Sequence, residues 1–218
     1  MAIEEDVIVI GGGLAGSIAA LEAADGEATV RLITHKKSTL RHASGLIDVL
    51  GYLDAEEPVA DPFAAISELP DEHPYSIAGE TAIRDGLARF DTAVGDMYQG
   101  SHTDANALLP TFGGAVKPTA RYPTAAAAGL ASDSREMLVV GFEELTEYNA
   151  SMLADHLERA DVPFEADGVE LNFPGEYAND SRVTRFAKRL DKPEDVEHDG
   201  RTMGAREALA DAIKPHLG

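Results

Sequence analysis

An apolar run that stops on a glycine cluster and passes straight into an alanine-rich stretch constrains this chain more than any other feature. Residues 7–16 read Val-Ile-Val-Ile-Gly-Gly-Gly-Leu-Ala-Gly, and Ser17-Ile18-Ala19-Ala20-Leu21-Glu22-Ala23-Ala24 follows. The short β-branched run predicts a buried parallel strand. Gly11, Gly13 and Gly16 then stand at the G-x-G-x-x-G spacing of a dinucleotide-binding turn. Gly11 permits the tight turn, Gly13 leaves no Cβ where a phosphate must approach the backbone, and Gly16 lets the helix pack closely on the strand. Gly12, Leu14 and Ala15 complete the turn. The first helical N–H groups and the helix dipole together make an anion site that needs no basic side chain. Two readings follow: a site for a nucleotide or flavin phosphate, or a glycine turn with a purely structural role. The strand, turn, helix context favours the first.

A second strand is predicted over Ala28 to Thr34, closing a strand, helix, strand unit of the length a right-handed crossover needs. An acidic side chain normally ends this strand in NAD- and FAD-binding versions and takes the ribose hydroxyls, but Thr34 and His35 stand here. This leaves a shorter ligand such as FMN, or an NADP-type site in which Lys36 and Lys37 meet a 2'-phosphate. Further along, Ala43-Ser44-Gly45 supplies a close-approach turn before the apolar Leu46, Ile47, Val49 and Leu50, and Ser44 and Gly45 are the candidates for ligand contact there.

Composition bounds the function classes. The chain has 218 residues, 44% of them hydrophobic, which suits a globular fold with a real core. Absence of cysteine removes disulfides, thiol nucleophiles and cysteine-ligated iron–sulfur clusters from this polypeptide. No stretch approaches the roughly 20 apolar residues of a membrane helix, and the acidic start lacks a basic n-region, so a cytoplasmic location is expected. The seven histidines show no metal-ligand spacing, and no metal site is expected. The formal charge of -21, from 39 acidic against 18 basic residues, is spread along the chain and argues against nucleic acid or anionic membrane partners. Acid excess over a whole domain fits a protein of a salt-loving organism, where counterions screen the self-repulsion; a merely acidic soluble protein is the plainer reading.

Three regions are expected. Residues 1–108 form a Rossmann-type flavin-binding region, in which Ile83, Leu87, Phe90, Val94 and Met97 mark the core face of a helix over Thr81 to Met97. Residues 109–195 form a second α/β region, opening with a loop-rich stretch to Gly129. In it Glu136 to Gly141 predicts a strand, Thr146 to Arg159 a helix with Leu145, Met152, Leu153 and Leu157 inside, and Val162 to Leu171 another strand. Glu143 and Glu144 place acid where a phosphate would sit, so this unit is not read as a second nucleotide site. Arg182, Arg185, Lys188 and Arg189 make a basic cluster, either a solvated face or an anion site. Residues 196–218 hold a terminal helix, over Thr202 to Lys214.

The order of these features resembles the flavoprotein B chain type of anaerobic glycerol-3-phosphate dehydrogenase, its B subunit. The resemblance rests on the glycine turn at Val9 to Gly16, the Ser38-Thr39-Leu40 to Ala43-Ser44-Gly45-Leu46-Ile47-Asp48 stretch, His73-Pro74-Tyr75-Ser76 and Leu109-Pro110-Thr111. Val139-Val140-Gly141 and Asn179 to Leu190 extend it over nearly the whole chain. It implies an α/β fold of the Rossmann-like FAD/NAD(P)-binding type with non-covalent flavin, FMN with FAD as the alternative. It also implies oxidation of glycerol 3-phosphate to dihydroxyacetone phosphate, with electrons passed towards quinone. A catalytic A subunit and an iron–sulfur C subunit would be the partners, the latter placing the complex at the inner face of the membrane. Family chains are about double this length, and their later half returns to the first domain, so the chain reads as an incomplete, N-terminal portion.

No catalytic base emerges from the sequence, although His42, beside Arg41 and Ser44, is the best candidate among the histidines. The rival readings are an NADP-binding reductase and a non-catalytic Rossmann scaffold or assembly subunit.

Overall fold

The computed structural model describes residues 4–35, 40, 43–54, 57–160, 162–175, 177, 181–192 and 194–217. Its leading elements are β1 (Val7–Ile10), α1 (Leu14–Asp25), β2 (Val30–Ile33), α2 (Pro74–Ala78), α3 (Glu80–Val94), β3 (Tyr98–Gln99), β4 (Ala107–Pro110), β5 (Val116–Thr119) and β6 (Tyr122–Pro123). There follow β7 (Met137–Phe142), α4 (Ala150–Arg159), β8 (Ala166–Leu171), α5 (Val183–Asp191), β9 (Asp195–His198), β10 (Arg201–Gly204) and α6 (Ala205–Ile213). The chain divides into two compact units, residues 1–106 with 119–127 and residues 107–118 with 128–218.

In the first unit β1 and β2 run parallel, Val7 opposite Val30 through Ile10 opposite Ile33, with α1 as the crossover. A reciprocal clamp fixes this register at its start. The Asp6 carboxylate accepts from Thr29 N at 2.9 Å and Thr29 Oγ1 at 2.8 Å, while Asp6 N donates to Thr29 O at 3.1 Å. The bonds from the Thr29 backbone and hydroxyl hold the Asp6 carboxyl below its ordinary range. Arg89 of α3 forms ion pairs with Glu22 and Asp25 of α1. The core of this unit gathers Phe63, Ile66 and Leu87, with Ile47, Val49, Tyr75 and Ile83 packed around them.

The predicted strand, turn, helix, strand order is observed, but β1 is not buried on both faces: Ile8 is 57% and Ile10 85% exposed. Among the described residues only β2 pairs with β1, and α1 packs on the Val9 side, so the alternate side chains face solvent. Met97 also departs from expectation. Gly95 ends α3 at φ 52, the register breaks there, and Met97 lies 65% exposed in the turn beyond, while Leu87 and Phe90 are buried as expected.

In the second unit β7 and β8 are parallel with α4 between them, and Leu153, Ala154, Leu157 and Ala166 form the core that joins helix to sheet. The helix predicted from Thr146 starts only at Ala150, because Asn149 caps it by accepting from Met152 N at 2.7 Å. Met152 then falls on the outer face, 56% exposed. The second strand begins at Ala166 rather than Val162. Phe142, Phe173, Tyr177 and Phe186 stack as an aromatic cluster under α5. Residues 202–204, expected to start the last helix, instead form β10, antiparallel to β9 in a hairpin whose Val196 packs on Ala205 and Ala208 of α6. The stretch expected to be loop-rich contains β5 and β6, with Pro118 and Pro123 inside them. Among the described residues no helix is long and apolar enough to cross a membrane.

Candidate functional site

The glycine turn connects Ile10 of β1 to Leu14 of α1, and each glycine meets a different constraint. Gly11 has φ +113, a conformation that favours glycine, and its N–H donates to Ile33 O at 2.8 Å, tying the turn to the end of β2. A Cβ on Gly12 would stand 3.3 Å from Thr34 Cβ. Gly13 is the N-cap of α1 in extended conformation, its carbonyl accepting from Ser17 N at 2.9 Å, and nothing lies within 4 Å of where its Cβ would be. At Gly16 an added Cβ would be 1.9 Å from Gly11 O, so α1 crosses the turn at a distance that only glycine allows.

These positions leave a helix N-terminus open towards solvent. Among the described residues no side chain caps α1, and no acidic residue stands in its first turn. The first-turn N–H donors and the helix dipole therefore stand beside the glycine backbone of the turn, which fits the phosphate of a flavin or nucleotide. Leu14 and Ala15 lie on the exposed side of the first turn.

Other expected site residues sit as follows. Thr34 reaches the turn through Gly12, and His35 follows it, exposed, beyond β2. Ser44 Oγ accepts from Leu46 N at 3.2 Å, a local turn bond. Gly45, at φ +83, has its open side 3.1 Å from Pro123 Cγ and 3.6 Å from the Tyr98 hydroxyl, so close packing on β3 and β6 already requires a glycine there. Lys36, Lys37, Ser38, Thr39, Arg41, His42 and Asn179 lie outside the described residues. Among the described residues no group of His, Asp or Glu is arranged to hold a metal ion.

A buried arginine that sequence reading missed organises the segment after Gly45. Arg121 is 7% exposed and clasps Asp91 of α3 with Nε and Nη2, at 2.9 and 3.0 Å, while Nη1 donates to the carbonyls of Gly100 and Ala120. Its backbone bridges to Ile47 in both directions, at 2.9 and 3.0 Å. An arginine within an Ala-Arg-Tyr triplet gave no signal distinguishable from a surface charge.

The second unit repeats the strand, helix, strand arrangement with its helix N-terminus already filled. Glu170 of β8 stands opposite Gly141 of β7, and its Oε1 accepts from Ala150 N, the first residue of α4, at 2.6 Å. A Cβ on Gly141 would fall 2.2 Å from Glu170 Oε2, so the glycine makes room for a carboxylate, not for a ligand. The acid that excludes a phosphate is thus Glu170. Of the pair expected in that role, Glu144 accepts from Phe173 N at 3.1 Å. Burial, with the Glu170 charge adding to it, pushes the Tyr148 phenol up from its ordinary value. Glu170→Ala is expected to lose this charged cap, lowering stability by about 2 kcal/mol and the melting temperature by roughly 5 °C, without gain of nucleotide binding. Calorimetry and a nucleotide titration check both parts.

The FAD binding domain family matches residues 6–217. A Halobacterium salinarum protein, named as the probable B subunit of anaerobic glycerol-3-phosphate dehydrogenase, is 56% identical over 98% of this chain and 50% of its own length. A Vibrio cholerae protein, named as the B subunit of anaerobic glycerol-3-phosphate dehydrogenase, is 34% identical over 78% of this chain and 41% of its own. One of the same name from Yersinia enterocolitica is 28% identical over 88% and 48%. The chain spans about half the length of the curated relatives it matches. No solved structure matches it significantly.

Proposed function

The chain belongs to the FAD binding domain family, and from that premise we propose that it is the flavin-binding part of the B subunit of an anaerobic glycerol-3-phosphate dehydrogenase. The observation that carries this reading is the uncapped N-terminus of α1 above Gly11, Gly13 and Gly16, shaped for a phosphate and placed in a chain matched by a flavin family. The N–H groups of Leu14 and its successors hold the flavin phosphate, Gly11 to Ala15 give the backbone surface it approaches, and Thr34 and His35 border it. Ser44 and Gly45 are further contacts. The flavin region covers residues 1–108, with 109–195 a second α/β region and 196–218 a terminal segment.

FAD is the flavin that the family description names, whereas FMN is favoured by Thr34 and His35, which offer no carboxylate to the ribose hydroxyls of an adenosine. When bound, the flavin supplies a two-electron acceptor for the alcohol carbon of glycerol 3-phosphate, giving dihydroxyacetone phosphate, with electrons moving on towards quinone. The protein's part is to fix the phosphate end so that the ring system has one position. The A and C subunits are the proposed partners, in the cytoplasm at the inner face of the membrane.

The test is a titration of the purified chain with FAD, FMN and NADP, read by flavin absorbance and fluorescence. Saturable flavin binding is expected, and the tighter of the two decides between FAD and FMN. Selective NADP binding would overturn the proposal in favour of a reductase, and absence of all binding would favour a scaffold.

The acidic surface carries a second expectation. Eighteen basic residues neutralise only eighteen of the 39 negative charges, and the net excess of 21 is self-repulsive at low salt. Exposed pairs such as Arg84 with Glu80 and Asp104 are weakened by salt, but solvent already screens them, so relief of repulsion wins. Melting temperature is therefore expected to rise by roughly 10 °C or more between about 0.1 M and about 2 M KCl. A salt-independent melt would remove the halophile reading.

A further inference from the structure

The strongest unassigned feature is a cationic pocket on α5, wholly within the second unit. Arg185, Lys188 and Arg189 follow the i, i+3, i+4 spacing of one face of α5, Lys192 follows as its C-cap in extended conformation, and Phe186 is buried beside them at 3% exposure. All four cations line a concavity of about 350 Å³, together with Gly175, Tyr177 and Glu194, whose carboxylate is the only one among the described lining residues. In a chain of net charge -21, four of the 18 basic side chains at one pocket invert the local field.

Cations in the last turn of a helix also complement its dipole, and that alone would account for Lys188 and Arg189. Further observations go beyond it. Arg185 lies 5.1 Å over the Tyr177 ring, which holds its guanidinium beside the pocket. Glu194 is shared by Arg189 and Lys192, so the one acid among the described lining residues is already committed. Arg185 and Lys188 form no ion pair with any described residue. Finally, Arg189 donates to Glu194 and to Asp195 O, yet its Nε is buried without an acceptor among the described residues. Such a donor marks a wall whose hydrogen bonding is incomplete.

We propose that this pocket binds a small dianion of the phosphate class, with Arg185 and Lys188 as its principal ligands. Two cations with no ion pair among the described residues match a charge of two, a guanidinium fork and a flexible ammonium suit tetrahedral oxygens, and the volume is at the lower end for small-molecule sites. The site is independent of the flavin reading, since none of its residues belongs to the first unit.

The test is calorimetric titration of the full chain with inorganic phosphate and with methyl phosphate at constant ionic strength in KCl. Saturable binding of at least one phosphate probe is expected, and the better probe separates free phosphate from an ester. R185Q/K188Q is expected to weaken it at least tenfold with unchanged melting temperature, because both side chains are exposed, whereas K214Q leaves it unchanged. Absence of saturable binding, undiminished binding in R185Q/K188Q, or equal loss in K214Q would overturn the proposal. Flavin affinity is unaffected by R185Q/K188Q, so failure here and failure of the flavin reading are read separately.

Discussion

Gly16→Ala is expected to disrupt the first strand–helix contact and abolish flavin binding, while Gly13→Ala abolishes binding and leaves the fold intact. The difference is geometric. A methyl group at Gly16 would sit 1.9 Å from the carbonyl oxygen of Gly11, and the obstacle is backbone, which no rotamer change can move. α1 must shift outward, at a cost of about 1–3 kcal/mol, and the N–H groups aimed across the turn go with it. At Gly13 the same methyl group meets no atom within 4 Å and the extended backbone accepts any residue, so the protein alone does not register the change. A ligand pressed against that backbone does. Circular dichroism melts and flavin titration of the two variants separate these effects, and a Gly13→Ala protein that binds flavin normally would sink the assignment of the turn.

The largest expected loss of stability belongs to Arg121. Arg121→Met leaves Asp91 without its partner and the carbonyls of Gly100 and Ala120 without donors, in a place where the arginine is 7% exposed. Removing one member of a buried pair costs about 3–5 kcal/mol, which lowers the melting temperature by roughly 10 °C or more in a chain of this size. Arg121→Lys is expected to recover only part of this, because an ammonium cannot reproduce the fork that meets Asp91 while also reaching both carbonyls. The double change Arg121→Met with Asp91→Leu removes the stranded charge and is expected to be milder than Arg121→Met alone. Equal stability of Arg121→Met and the native chain, measured by denaturant unfolding, would show that the clasp contributes nothing.

The parts legible in the sequence were those set by local rules. Glycine spacing after a β-branched run gave β1, the turn and α1, and period-3.6 apolar spacing gave α3 and α4, whose cores rest on Leu87, Phe90, Leu153 and Leu157. What escaped depended on partners distant in sequence. Met97 and Met152 satisfy the period but lie outside, one past a glycine that breaks the helix and one in a first turn fixed by Asn149. The roles of Arg121 and Glu170 exist only through Asp91 and Gly141, 30 and 29 residues away, and neither residue type announces such a partner. Gly45 was read as a ligand contact from its local chemistry, and the structure reveals a packing reason for it in Pro123 and Tyr98.

The open aliphatic face of β1 and β2 has a consequence for handling the protein. Ile8, Ile10 and Ile33 form a sticky ribbon with an unpaired backbone edge among the described residues, the kind of surface that seeds association. At low ionic strength mutual repulsion between acidic molecules keeps these ribbons apart, acting as a colloidal barrier. Strongly hydrated salts such as sulfate lower that barrier and at the same time strengthen apolar contact. Solubility should therefore fall as such a salt is added, with light scattering rising first in ammonium sulfate and later in KCl, and Ile10→Lys moving both onsets upward.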